Sequence, residues 1–319
     1  MIRILALLLG SVLCAAAYGQ SYPERPLRLV VPFPAGGTVD AVARIAAQKL
    51  SDSVKQPVVV DNRAGAGGSI GAESVAKAAP DGYTLLMGTG STHGTNPSVL
   101  KSLPYDPVRD FAPVSLLGTS PYILVVNSAV PVNSVAELLA LARAQPGKLN
   151  FGSYGSGSSN HLATELFRSM TGVSIVHVPY KGAAPAITAL VAGEVQFMFD
   201  VVGTSMPHIR SGKFKLLGTG ALKRPSLLPD TPTMTEAGVK GYEAGTFFAI
   251  FAPAGTPATV IAALNRELVR AVTQPDVRER LTVLGVEVVG STPAQLGEAV
   301  ASEVQKWAQL VRERSLRFD

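Results

Sequence analysis

Cysteine is nearly missing from this chain of 319 residues, where Cys14 is the only one. A single thiol excludes a disulfide framework and any CxxC redox or metal site. Charge is also scarce, at 16% of residues, against about 25% in ordinary globular proteins. The formal charge of +5 comes from 28 basic and 23 acidic residues, with no basic run. That argues against nucleic acid as a partner, which needs a concentrated basic face. His93, His161, His177 and His208 show no HxH or HExxH spacing, so no metal site is expected. There is no GxxxxGK[ST] loop for ATP, and the serines form no GxSxG elbow. Neither a catalytic residue nor a cofactor is assigned. Past the N-terminus, spanning apolar runs are missing too. Residues 182–203 contain Pro185, Glu194 and Asp200, and residues 244–263 contain Pro253 and Pro257.

What is present is a hydrophobic content of 47% on a length that suits two domains. That content excludes intrinsic disorder. The N-terminus reads as an export signal over residues 1–19. Arg3 is a minimal positive region, Ile4–Ala17 is apolar apart from Gly10 and Ser11, and Ala17 and Gly19 suit cleavage near Gln20. The stretch is about 14 residues long, short of the roughly 20 needed to span a membrane. Leu13 before Cys14 disfavours lipid attachment there. Cleavage removes Cys14 and Arg3 and leaves a charge of +4. The expected location is the periplasm, and the expected state a monomer.

Short β-branched runs alternate with Ala/Leu-rich helical stretches, the pattern of a parallel sheet with helices on its faces. Strands are expected at Leu27–Pro32, Pro57–Asp61 and Tyr83–Gly88, with helices at Thr38–Leu50 and Ser69–Ala79. Phe111–Asn127 is a long extended segment. The alternation restarts with a helix over Ser134–Ala144, capped by Asn133. Strands at Lys148–Ser153, Ser174–Pro179, Val195–Phe199 and Lys213–Gly218 then enclose helices at Ser159–Met170 and Ala183–Ala192. After a second extended run, Gly245–Ala252, the chain reads as helical over Ala258–Val272, Pro275–Leu284 and Pro293–Arg314. Pro257, Pro275 and Pro293 each fit a first helical turn. The expected architecture is α/β and two-lobed with two crossing segments. Residues 22–123 and 246–319 form a discontinuous domain 1, and residues 124–245 form domain 2. Two connections imply a hinge and a ligand cleft.

Two loops carry the chemistry. In Val31–Asp40 a strand runs into Gly36-Gly37 and then a helix. Glycines let the backbone approach a ligand closely, and the helix N-terminus offers unpaired N–H groups. Phe33, Ala35, Gly36, Gly37, Thr38 and Asp40 are candidates here, either as an anion site or as a capped βα turn. The second loop, Gly152–Asn160, holds three glycines and four serines in nine residues. Tyr154, Ser156, Gly157 and Ser158 are its candidates, with a surface loop as the alternative. Both follow strands, and ligands of parallel α/β sheets sit beyond strand carboxyl ends. Gly65–Gly68 and Gly88–His93 are weaker rim segments, the latter contributing Ser91 and Thr92. Asp200 at a strand end either accepts from a ligand or caps the next turn.

Several segments together resemble the receptors of tripartite tricarboxylate transporters, also called the Bug family of extracytoplasmic solute receptors. They are Pro32-Phe-Pro-Ala-Gly-Gly-Thr-Val-Asp40, Asn62-Arg-Ala-Gly-Ala-Gly-Gly68, Pro80-Asp-Gly-Tyr-Thr-Leu-Leu86, Asn96-Pro-Ser98, Val178-Pro-Tyr-Lys-Gly182, Phe199-Asp200, Pro207-His208 and Pro229-Asp-Thr-Pro-Thr233. The resemblance implies a type II periplasmic-binding-protein fold, the Venus flytrap, closing on a small carboxylate. It implies Phe33–Asp40 and Tyr154–Ser159 as the binding loops and a membrane permease as partner. A sensor kinase is the alternative partner, and an exported hydrolase or transferase the remoter alternative function. Gly94-Thr95 and Val201-Val202 depart from the family pattern, in which an apolar pair and a polar residue are expected. They point to a ligand less polar than citrate or aspartate.

Overall fold

The computed structural model describes residues 22–313, 315 and 316; the expected export signal and Cys14 lie outside the described residues. Two sheets organise the chain. The first is built from β1 (Leu27–Val31), β2 (Val58–Asn62), β3 (Thr84–Thr89), β4 (Phe111–Pro121), β10 (Gly245–Pro253) and β11 (Glu287–Val288), in the order β11-β4-β10-β3-β1-β2. The second is built from β5 (Ile123–Asn127), β6 (Asn150–Ser153), β7 (Val176–Pro179), β8 (Phe197–Asp200) and β9 (Phe214–Thr219), in the order β7-β6-β8-β5-β9. In the first sheet β1 pairs parallel with β2 and β3, with Leu29 opposite both Val60 and Leu85. The expected alternation is therefore real, and so are the two lobes.

Each lobe buries its sheet on both faces, as parallel sheets covered by helices do. The period-2 alternation of a strand divides its side chains between two cores. Leu124 and Val126 of β5 enter a core with Phe151, Phe197 and Phe199. Ile123 and Val125 enter a second core with Met198 and Leu190. Over the first sheet, α1 (Thr38–Val54) buries Val42, Ile45, Ala46 and Leu50, a stripe at helical spacing. It packs against α8 (Ala258–Val272), which buries Leu264, Leu268 and Val272 in the same core.

The long extended run divides at Tyr122: β4 stays in the first sheet and β5 begins the second. The return strand β10 pairs antiparallel with β4 from Gly245 opposite Pro121 to Pro253 opposite Phe111. The crossings thus lie side by side. The last helix, α10 (Pro293–Glu313), buries Leu296, Val300 and Trp307. Its Leu310 packs against the core of the second lobe, so the helix lies across both lobes.

Three local details depart from expectation. The N-cap of α4 (Val135–Ala144) is Ser134 rather than Asn133. Its hydroxyl accepts the Glu137 N–H at 3.1 Å, and the Glu137 carboxylate accepts the Asn133 N–H at 2.7 Å. This is a capping box shifted by one residue. Pro257 precedes α8 as its N-cap, whereas Pro275 opens α9 (Pro275–Val283) and Pro293 opens α10. Two helical segments were also not anticipated. One is a π-helical turn over Ser91–Thr95 leading into the single turn α3 (Asn96–Val99). The other is α7 (Val202–Arg210), with Pro207 inside it. The remaining helices are α2 (Ser69–Ala76), α5 (Ser159–Thr171) and α6 (Ala183–Ala192).

His93, in the π-helical turn, is fully buried. Its ring stacks on Phe251 at 3.8 Å and meets the edge of Phe111 at 4.7 Å. Burial pushes its pKa down to about 3. An unfolded imidazole takes up its proton near pH 6.5, so the unfolded chain binds more protons between the two values. The stability this group confers is complete above about pH 6.5 and is lost as pH falls toward about 3. Chemical denaturation between pH 7 and 4 is expected to show a shallower acid loss for His93→Phe than for the wild type. The difference approaches about 1.4 kcal/mol per pH unit; parallel profiles would contradict it.

Candidate functional site

The loop from β1 into α1 is held by Asp40. Its carboxylate accepts the Gly36 N–H at 3.1 Å, Arg44 Nε at 3.0 Å and Asn62 Nδ2 at 3.0 Å. Asn62 also donates to the Phe33 carbonyl at 3.0 Å. Burial works to raise the Asp40 pKa, but the bonds from Arg44, Gly36 and Asn62 outweigh it and hold the carboxyl below its ordinary value. Gly36 needs its freedom, with φ at +89°. Asp40 is therefore a brace for the loop.

The second loop runs from β6 into α5. Ser158 Oγ donates to the Gly155 carbonyl at 2.6 Å, and Asn160 Nδ2 anchors the loop to the Phe199 carbonyl at 3.1 Å. The loop touches the first lobe directly. Thr95 Oγ1 donates to the Gly157 carbonyl at 3.0 Å, the Ser159 N–H donates to Ser91 Oγ at 3.0 Å, and the two serine hydroxyls are 3.1 Å apart. Tyr122, from the crossing, adds its hydroxyl to Ser159 at 2.5 Å.

These contacts close a cavity of about 30 Å³ between the lobes. That is room for one or two waters, so admitting a small acid requires the lining to part. Four helices begin at this cavity. Thr38 opens α1, Ser159 opens α5, Ala183 opens α6, and Val201 is the residue before α7; all four line it. None of these helices is capped by the side chain of its own N-cap residue, and at α5 the Ser159 N–H is taken instead by Ser91 Oγ of the facing lobe. Thr38 Oγ1 is buried without a hydrogen-bond partner among the described residues. The further polar lining consists of Thr89, Ser91, Tyr122, Tyr154 and Thr246, and the apolar lining includes Phe33, Pro34, Val39 and Phe248. Among the described residues no charged side chain lines the cavity.

Of the residues named from sequence, Phe33, Gly37, Thr38, Ser91 and Tyr154 line the cavity. Ala35, Gly36, Asp40, Thr92, Ser156, Gly157, Ser158 and Asp200 do not. Thr92 is bound within its own turn, to Thr89 and His93. For Asp200 the bonds match the turn-capping alternative of its sequence reading. Its buried carboxyl is occupied by the hydroxyls of Tyr154, Ser205 and Thr204, the last at 2.7 Å. Burial raises its pKa, against the bonds from those hydroxyls. Asp200 thus orients Tyr154 and the start of α7. Ala183 was legible as the start of a helix after a strand. Tyr122 and Thr246 carried no signal, because they reach the cavity only where the crossings run together.

A family model described as the tripartite tricarboxylate transporter family receptor matches residues 42–316. The chain belongs to this family. Among curated relatives, Protein BugT of Bordetella pertussis is 40% identical over 307 residues, covering 96% of this chain and 94% of that protein. Among solved structures, Rpa4515 of R. palustris with adipate is 39% identical with a TM-score of 0.90, covering 93% of this chain and 99% of that one. MatC from Rhodopseudomonas palustris with bound malate is 37% identical with a TM-score of 0.87, covering 91% of this chain and 100% of that one. The family is one of periplasmic solute receptors, not enzymes, and this receptor shares its two-lobed fold.

Closure brings α7 of the second lobe against the first. A Cβ on Gly203 would lie 2.7 Å from Thr38 Oγ1 and 3.1 Å from the Leu284 carbonyl. Gly203→Ala is expected to fold with an unchanged or slightly raised melting temperature, since alanine suits a helix better than glycine. Small-angle scattering is expected to show a larger radius of gyration than wild type. Superimposable scattering curves would show that this contact does not limit closure.

Proposed function

We propose that this receptor captures a small carboxylate between its lobes in the periplasm and delivers it to a membrane permease of the tripartite tricarboxylate type. The observation that carries the reading is the convergence of four helix N-termini, none bonded by the side chain of its own cap residue, on a cavity that no charged side chain lines among the described residues. Helix N-termini favour anions through free N–H groups and the macrodipole. The serine, threonine and tyrosine hydroxyls supply further donors. The adipate and malate in the related structures support the ligand class. The apolar N-terminal stretch supports export, and no helix among the described residues is long and apolar enough to cross a membrane.

Charge-assisted hydrogen bonds contribute about 1.5–3 kcal/mol each. Four or five of them, less several kcal/mol for association, leave roughly −8 kcal/mol, or micromolar affinity. Binding bridges the lobes and shifts the receptor toward its closed form. Val39, Ala183, Val201 and Phe248 beside the hydroxyls favour an acid with a less polar body than citrate or aspartate.

Thermal-shift measurement with millimolar adipate, malate, benzoate, citrate and aspartate tests this reading. At least one of the first three is expected to raise the midpoint by several degrees, more than citrate or aspartate does, because a ligand bound only by the native state stabilises it. Gly37→Asp places a carboxylate beside the uncapped α1 terminus, at a backbone φ of −87° that aspartate tolerates. The folded variant is expected to lose the shift. No shift with any acid, or an unaltered shift in Gly37→Asp, would overturn the assignment.

A further inference from the structure

We propose that His161 is the positioning residue that sets the second binding loop in its lobe-closing shape, acting through the lone pair on Nδ1. The Gly157 N–H donates to this nitrogen at 3.1 Å. Gly157 takes a φ of +81°, and its carbonyl is the one that accepts Thr95 Oγ1 from the first lobe at 3.0 Å. The orientation of one glycine therefore joins an intra-lobe bond to a cross-lobe bond. Two residues further on, the Ser159 N–H reaches Ser91 Oγ of the first lobe at 3.0 Å.

The arrangement resembles a capping box in which histidine replaces the third-position glutamate. Ser158 is the N-cap residue of α5 but makes no side-chain cap. His161, at the third helical position, instead reaches back to the residue before the cap. Its ring is fixed from both sides. It stacks on His177 at 3.7 Å with 11° between planes, and His177 Nε2 is 2.6 Å from Ser153 Oγ at the other end of the loop. His161 Nε2 points toward Glu165 Oε1 at 3.8 Å, and Glu165 pairs with Arg168 at 2.5 Å. An acceptor at Nδ1 requires the proton of the neutral ring on Nε2, the side that faces the carboxylate. Burial, with His177 and Arg168 nearby, pushes the His161 pKa down to about 3, so the ring is neutral at ordinary pH.

The inference goes beyond the carboxylate reading and is tested without any acid present. Asparagine places an acceptor oxygen two bonds from Cβ, as Nδ1 is. Glutamine places it three bonds away, as Nε2 is. Amide hydrogen exchange, read at Gly157 for the intra-lobe bond and at Ser159 for the cross-lobe bond, is compared in wild type, His161→Asn and His161→Gln. The Asn variant is expected to stay within about twofold of wild type at both amides, and the Gln variant to exchange about tenfold faster or more, as expected for loss of a hydrogen bond of about 1.4 kcal/mol. Val125 in the second-lobe core serves as the control and is expected to be unchanged. Equal acceleration in both variants would assign His161 a packing role only. Unchanged exchange at Ser159 in the Gln variant would separate the loop from closure, and either result overturns the proposal. Failure here leaves the carboxylate reading standing, since thermal shifts test that separately.

Discussion

Aiming four helix N-termini at one point is the constraint on which the rest of this structure depends. Each end leaves backbone N–H groups with no partner inside its own helix. The usual remedy is a capping side chain, and α4, away from the cleft, has one in Ser134. The four cleft helices lack a bond from their own cap residues, and among the described residues only α5 gains one from across the cleft, at Ser91. An anion satisfies such groups without any lysine or arginine, each favourable terminus contributing about 0.3–1 kcal/mol or more where partly buried. The low charge content of the chain and the uncharged lining of the cavity are consistent with that solution.

Because α1 belongs to one lobe and α5, α6 and α7 to the other, the termini converge only when the lobes meet. That requirement explains how the connections are built. The crossings β4–β5 and β10 run side by side, and α10 lies across both lobes. The contacts that close the cleft are short hydroxyl and backbone bonds around Ser91, Thr95, Gly157 and Ser159. Such bonds are individually modest, about 0.5–1.5 kcal/mol net. Groups with stronger electrostatic leverage are kept one layer back. Asp40 braces the first loop and Asp200 orients Tyr154, and neither carboxylate lines the cavity.

Much of this was legible in the sequence, for identifiable reasons. The alternation of β-branched runs with Ala/Leu-rich stretches is a local signal, and it located the strands and most helices. Val31–Asp40 was legible as a strand-to-helix loop because strand, glycine pair and helix start are adjacent in the chain. Asp200 was left between a ligand contact and a turn cap because sequence shows a carboxylate at a strand end but not the three hydroxyls that occupy it. Helix α7 was hidden by Gly203 and Pro207, both poor helix formers, and only its start, at Val202 and Gly203, lies against Gly285 and Leu284 of the other lobe. Tyr122 and Thr246 are 124 residues apart and reach the same cavity only because the crossings are neighbours. No window of sequence contains that fact.

Native mass spectrometry, with the protein incubated in an equimolar mixture of small carboxylates, amines and neutral sugars, tests the central claim most directly. The account predicts one carboxylate retained per folded chain and released on denaturation. Retention of an amine or sugar in its place, or of no compound at all, would contradict it.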